Sequence, residues 1–167
     1  ENPAGPPFQQ KRLQPPFKQM RNTDYAGNFA TFLAQSPTEK PFCFWLGTSE
    51  PHRGFESGAG KRTGKDPSKV IVPPIFPDND IVRNDLLDYF VEIEHFDSQV
   101  SRAIALLEKS GQLDNTIIVV TSDHGMPFPR AKASLYDDGS RIPLAIRWPR
   151  GITKPGRIIG DLVNLSD

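Results

Sequence analysis

Residues 79–110 constrain what this 167-residue chain can fold into more than any other segment. Ile81, Leu86, Tyr89, Phe90, Ile93, Phe96, Val100, Ile104 and Leu107 recur there at a helical period with polar residues between them, which predicts one long helix with a buried stripe. Gly111 supplies a left-handed stop and Asp114-Asn115 a turn. Thr116-Ile117-Ile118-Val119-Val120-Thr121 then reads as a β-branched, buried strand. Around this helix-to-strand unit the other elements are shorter. Thr23 or Asp24 caps a helix running to about Ala34, with Tyr25, Phe29, Phe32 and Leu33 as its apolar face. Residues 42–46, Phe-Cys-Phe-Trp-Leu between Pro41 and Gly47, read as a fully buried strand, residues 143–148 as another, and Val163-Asn164-Leu165 as a last apolar piece. Strand and helix alternation predicts an α/β fold with a mainly parallel sheet and flanking helices. Residues 1–22 lack either periodicity and are rich in proline, so they read as an irregular lead-in to a folded part at 23–167, as if the chain began in the middle of a fold.

Composition narrows the function classes. Twenty basic and twenty acidic side chains cancel, so no net field draws the chain to nucleic acid, and any anionic ligand has to be bound locally. Cys43 is the only cysteine, which excludes an internal disulfide. Its place inside the apolar run makes it a small core hydrophobe. No apolar run approaches the roughly 18–20 residues of a membrane span. Oligomeric state and compartment leave no mark in the sequence.

The chemistry-bearing residues lie just past two of the predicted strands, where open α/β sheets bind ligands. Ser122-Asp123-His124-Gly125 follows residues 116–121: the carboxylate offers hard oxygen to a divalent cation, the imidazole a second ligand, and Gly125 a sharp turn. Taken alone, Asp123 equally fits a turn cap and His124 a solvated loop residue. His52, in Ser49-Glu50-Pro51-His52-Arg53 after residues 42–46, is placed to protonate a leaving group, or is a surface histidine. Lys132 can return towards the strand end and clamp an oxyanion, or be solvated. His95 reads as an ordinary residue of an amphipathic helix. Lys61, Arg62, Lys65 and Lys69 form a basic loop that either lines an anionic cleft or is solvated.

Together these pieces resemble the sulfatase family of the alkaline-phosphatase-like superfamily. Ser122-Asp123-His124-Gly125, then Lys132, then Tyr136-Asp137-Asp138-Gly139-Ser140-Arg141-Ile142-Pro143 reproduce in order the family's second signature block. Pro51-His52 and Leu113-Asp114-Asn115-Thr116 match two further elements, and the likeness covers about residues 25–167. Pro51-His52-Arg53, Glu56-Ser57-Gly58-Ala59-Gly60 and Met126-Pro127-Phe128-Pro129 are most similar to the heparan N-sulfatase (N-sulfoglucosamine sulfohydrolase) branch and its bacterial relatives. Two positions depart from that branch: Lys132 stands where it has arginine, and Ser49 where a histidine is common.

The resemblance implies the C-terminal part of a catalytic domain that hydrolyses a sulfate ester or sulfamate on a sulfated sugar or glycosaminoglycan. It maps Asp123 and His124 to ligands of a divalent cation, usually calcium. His52 maps to a sulfate contact and proton donor, Lys132 to a sulfate-holding cation, and Arg141 to a structural role in the loop. It also implies a formylglycine nucleophile, which has no convincing counterpart here, because Ser49-Glu50-Pro51-His52-Arg53 fits the modification pattern only loosely and no helical pattern follows it. The isolated chain is therefore expected to be inactive. A periplasmic, secreted or lysosomal setting follows from the family alone. Two other readings compete: a phosphomonoesterase or phosphodiesterase of the same superfamily, which needs more histidines for a two-zinc site, and a non-catalytic domain that binds sulfated glycans.

Overall fold

The computed structural model describes residues 5–37, 39–161 and 163. In chain order the elements are α1 (Tyr25–Gln35), α2 (Ala59–Arg62), α3 (Asp80–Lys109), β1 (Ile118–Thr121), α4 (Asp137–Ser140) and β2 (Leu144–Arg147), with 3-10 turns at Pro67–Lys69 and Leu113–Asn115. Residues 1–4 of the lead-in and residues 164 and 165 of the last apolar piece lie outside the described residues.

The predicted long helix is α3, and both of its ends are set by the residues that the sequence offers. Asn79 caps it by accepting from the Val82 N–H (3.0 Å). At the other end Gly111 takes φ 71°, and the Gly111 and Gln112 N–H groups bond to the Glu108 and Leu107 carbonyls, a Schellman closure. Thirty residues at 1.5 Å each make a rod about 45 Å long. Three apolar clusters sit along it: Leu86 and Leu87 with Val70 and Phe128, Val91 with Met20 and Ala59, and Ala103 and Leu107 with Phe29 of α1. The lead-in is irregular but tied down. An Arg12–Thr23 bridge and the Lys11 N–H to Asn28 Oδ1 bond (2.9 Å) hold it to α1, and Met20 is buried against α3.

The buried face of α3 is not the predicted apolar stripe. Leu86 and Leu107 are buried, but Ile81 and Ile93 are exposed, and Asp88, Glu92, His95 and Gln99 are buried in their place. The reason is backbone hydrogen bonding. Asp88 accepts from the Gly58 and Gly60 N–H groups (2.9 and 2.8 Å), Glu92 faces the His52 N–H (3.4 Å), and Gln99 accepts from the Ala26 N–H (3.1 Å). Irregular segments lack a ladder partner for these donors, and a polar edge on a rigid helix supplies one. His95 belongs to the same edge, and its Nε2 atom makes no hydrogen bond.

One further expectation is corrected. Residues 42–46 are extended but pair with no strand among the described residues; Phe42, Phe44 and Leu46 turn towards Phe29 and α3, whereas Cys43 and Trp45 are exposed. The alternation makes this a one-sided segment, so Cys43 is not a core residue. The sheet of the described residues is a single antiparallel pair, with Val119 opposite Ile146 and Thr121 opposite Leu144. A parallel pair needs a crossover connection, and the loop between β1 and β2 instead reverses the chain with only the one-turn α4 inside it. That loop is drawn tight by two glycines. Gly125 N–H donates to the Gly139 carbonyl (2.9 Å), a methyl on Gly125 would overlap the Asp138 carbonyl, and one on Gly139 would overlap the Ala131 and Ser134 carbonyls. No helix of the described residues is long and apolar enough to cross a membrane.

Replacing Gly125 with alanine should therefore cost about 1–3 kcal/mol of stability, since backbone rather than a flexible side chain has to yield. Chemical denaturation of the protein and the Gly125→Ala variant measures it. The polar edge makes a second prediction. Burial pushes the Glu92 carboxyl from its ordinary 4.5 up to about 7; the His52 N–H opposes the push and the negative charge of Glu50 adds to it. The folded state thus holds a proton that the unfolded state has lost, so this contribution is fully present below pH 4.5 and disappears as pH rises through 7. Melting temperatures taken between pH 4.5 and 8 should show Glu92→Gln gaining steadily on the parent protein as pH rises. A constant difference would contradict it.

Candidate active site

The loop that carries His52 is anchored from below. Glu50 is buried, and its carboxyl accepts from the Arg21 N–H (2.6 Å) and the Tyr25 hydroxyl (3.0 Å). The Tyr25 oxygen accepts in turn from the Ser49 N–H (3.0 Å), and burial is the main cause that raises the Tyr25 phenol above its ordinary value. These bonds hold the backbone at 49–50 down while the His52 side chain stays exposed. The next residue, Arg53, turns back into the protein. Its Nε donates to the Pro127 carbonyl (2.9 Å) and its two terminal nitrogens hold both oxygens of Asp85 on α3 (3.0 and 2.7 Å).

Lys132 arrives from the loop after β1. Its N–H donates to the Met126 carbonyl (3.1 Å), folding residues 126–132 into a compact turn, with Phe128 buried beneath. Its ammonium then lies 3.4 Å from His52 Nε2, although the two residues are 80 positions apart in sequence. An ammonium has no lone pair, so Lys132 donates and a neutral imidazole accepts through Nε2. Lys132 also lines a depression of about 550 Å³ together with Arg53, Asp85, Pro127, Phe128 and Pro129. An ammonium and an imidazole thus meet beside an open hollow.

Asp123 and His124 form the second corner, immediately after β1. His124 Nδ1 lies 2.8 Å from the Gly125 carbonyl, which can only accept, so Nδ1 carries the proton and Nε2 presents its lone pair. That lone pair lies 3.5 Å from Asp123 Oδ2. Neighbouring ligands at roughly 2.4 Å and right angles about one cation lie about 3.4 Å apart, so the pair fits two sites on a divalent ion. The Asp123 side chain is 84% exposed, and no group of three or more His, Cys, Asp or Glu residues forms among the described residues, so these two alone do not enclose an ion.

The structure thus joins His52 to Lys132 through space, whereas Asp123 and His124 meet as chain neighbours on the same loop that carries Lys132. Arg141, expected to fix that loop, has an exposed side chain; backbone bonds from Gly125 to Gly139 and from Arg141 to Asp137 do the fixing. Ser49 is exposed and opens no helix, since the next one, α2, begins at Ala59. Of the basic loop, Arg62 pairs with Glu56 and Lys65 with Glu94 (2.7 Å), which leaves less free charge there than the composition suggests. Sequence reasoning missed Arg53, Asp85, Glu50 and Glu92. Adjacency to His52 was a usable signal for Arg53. For Asp85 and Glu92 there was none, because charged residues on a helix ordinarily face solvent.

Comparison with known proteins points the same way. The family model described as Sulfatase matches residues 1–167. The ulvan-active sulfatase of Formosa agariphila is 40% identical over 98 residues, which is 59% of this chain and 16% of that protein. The human N-sulphoglucosamine sulphohydrolase is 27% identical over 154 residues, 80% of this chain and 31% of that protein. The crystal structure of the yidJ sulfatase candidate from Bacteroides fragilis superposes with a TM-score of 0.60 at 27% identity, covering 75% of this chain and 30% of that one. The chain therefore spans less than a third of the length of these relatives. With its signature residues folded into one loop system, the chain belongs to the sulfatase family.

Proposed function

We propose that this chain is the part of a sulfatase catalytic domain that grips the sulfate and protonates the leaving group, acting on a sulfate ester or sulfamate of a sulfated sugar or glycosaminoglycan. The observation that carries the reading is the 3.4 Å approach of Lys132 Nζ to His52 Nε2. An anion entering between the two replaces that mutual contact with oxygen acceptors for both. Lys132 then holds one sulfate oxygen, and its fixed positive charge stabilises the negative charge there in the transition state. His52, protonated, donates to the departing oxygen or nitrogen, so that the sugar leaves as a neutral alcohol or amine. Asp123 and His124 hold a divalent cation, calcium by the family resemblance, with the remaining ligands coming from elsewhere in the complete polypeptide. A cation held there would draw charge from the sulfate, and the formylglycine that the family resemblance implies would supply the nucleophile. The larger sheet of the complete domain is proposed to be mainly parallel, with β1 and β2 as one margin.

The two substitutions at the heart of this reading should fail differently in the complete enzyme. Lys132→Ala should raise KM and lower kcat on every substrate, because a sulfate contact is lost whatever the leaving group. His52→Ala should lower kcat by about 10²–10⁴-fold on a sugar sulfate and far less on an activated aryl sulfate. Steady-state kinetics on both substrates, with folding and metal content checked, decides it; equal losses for His52→Ala would remove the acid role. Residues 1–167 expressed alone should release no sulfate from either substrate. Turnover by that fragment, abolished by Ser49→Ala, would make Ser49 a nucleophile after all.

A further inference from the structure

We infer that Arg53, fixed by Asp85, is the positioning residue that sets His52 against Lys132, an inference that rests on the sulfatase reading of that pair. The contacts form a closed circuit. His52 is covalently joined to Arg53, and the Arg53 Nε donates to the Pro127 carbonyl (2.9 Å). Pro127 follows Met126, whose carbonyl accepts from the Lys132 N–H (3.1 Å), and Lys132 Nζ closes the ring on His52 Nε2 (3.4 Å). Beside the Phe55–Phe128 ring contact, Arg53 makes the only side-chain hydrogen bond between the 51–55 segment and the 126–132 turn apart from the His52–Lys132 contact itself, among the described residues, and removing it opens the circuit there.

The guanidinium is held by a carboxylate, a carbonyl and two rings. Both Asp85 oxygens face it in a fork (3.0 and 2.7 Å), and its carbon lies 4.8 Å from the centre of the Phe55 ring and 4.6 Å from that of Phe128. Three of its five N–H donors, including the one on Nε, are taken by acceptors of this chain, which fixes the plane of the group beside the hollow that Lys132 also lines. Asp85 sits on α3, so the circuit is referred to the most rigid element of the fold. Arg53 and Asp85 are also both partly exposed, and an ion pair in such a place adds little to global stability. Its planar, two-pronged geometry is what fixes direction. The inferred role is therefore large for catalysis and small for folding.

The test uses the complete enzyme with Arg53→Ala, Arg53→Lys and Asp85→Asn, each also combined with His52→Ala, on a sulfated sugar and on 4-nitrophenyl sulfate. A misplacement of about 1 Å at a reacting group costs about 10²-fold, so Arg53→Ala should lower kcat/KM by about that factor on the sugar sulfate and several-fold less on the aryl sulfate. Arg53→Lys should not rescue, because one ammonium cannot hold Asp85 and the Pro127 carbonyl together. Asp85→Asn should shift the substrate ratio in the same direction, which keeps the test open if Arg53→Ala folds poorly. In the His52→Ala background, Arg53→Ala should cost little more. Equal losses on the two substrates, or additive losses in the double variant, would overturn the inference. Trypsin nicking after Arg130 and Lys132, followed by mass spectrometry, reads the clamp without activity and should quicken in Arg53→Ala and Asp85→Asn. If the parent enzyme releases no sulfate, the sulfatase reading fails; unchanged nicking would then overturn the clamp on its own.

Discussion

Buried acceptors along one edge of α3 hold the irregular half of this protein in place. Gln99 takes the Ala26 N–H at the start of α1, Glu92 faces the His52 N–H, and Asp88 takes two glycine N–H groups before and within α2. Asp85, one turn further towards the N-terminus, receives Arg53. Segments with so little secondary structure have many backbone donors and no ladder to satisfy them, and a donor buried without a partner is costly. A helix edge of carboxyls and amides meets that need at regular intervals. The cost falls on Glu92, which burial and the nearby Glu50 make reluctant to ionise.

That arrangement explains how two residues 80 positions apart come within 3.4 Å of one another. The His52 segment hangs from α3 by Glu92 and by the Arg53–Asp85 fork. The Lys132 turn rests on the same helix through Phe128, packed with Leu86, Leu87 and the rings of Phe55 and Tyr89. One rigid element therefore sets both halves of the pair. The Asp123–His124 corner depends on something different: β1 delivers it, and the two glycines at 125 and 139 draw the loop closed behind it. The likeness to sulfatases gains a physical meaning here. Both signature glycines lie where only hydrogen fits, and the Ser-Asp-His-Gly stretch sits at the end of a strand, where a cation can be approached from outside.

A good part of this was legible in the sequence. The long helix, its Gly111 stop, the strand after it and the order of the signature residues follow from local rules acting within a few residues, although that strand is half-exposed rather than buried, with Ile117 and Val119 open to solvent. Cys43 and the predicted buried strand at 42–46 mark the limit: a short apolar run does not reveal whether one face or both will be covered, and here Trp45 is 87% exposed. The α3 stripe misled for a related reason. Periodicity locates an apolar face, but it cannot see that loops elsewhere in the chain will ask a helix for acceptors.

The sequence by itself determined the local conformation of α3 and β1, the adjacency of Asp123 and His124, and the family to which the chain belongs, because each rests on neighbouring residues or on their order. Only the tertiary structure decided which candidates lie together. It set His52 beside Lys132, bonded Arg53 to Asp85 and to the Pro127 carbonyl, and buried Glu92 under the His52 backbone. Those contacts join segments about 30 to 80 positions apart, and their geometry is fixed by how loops pack against one helix, which no local pattern encodes.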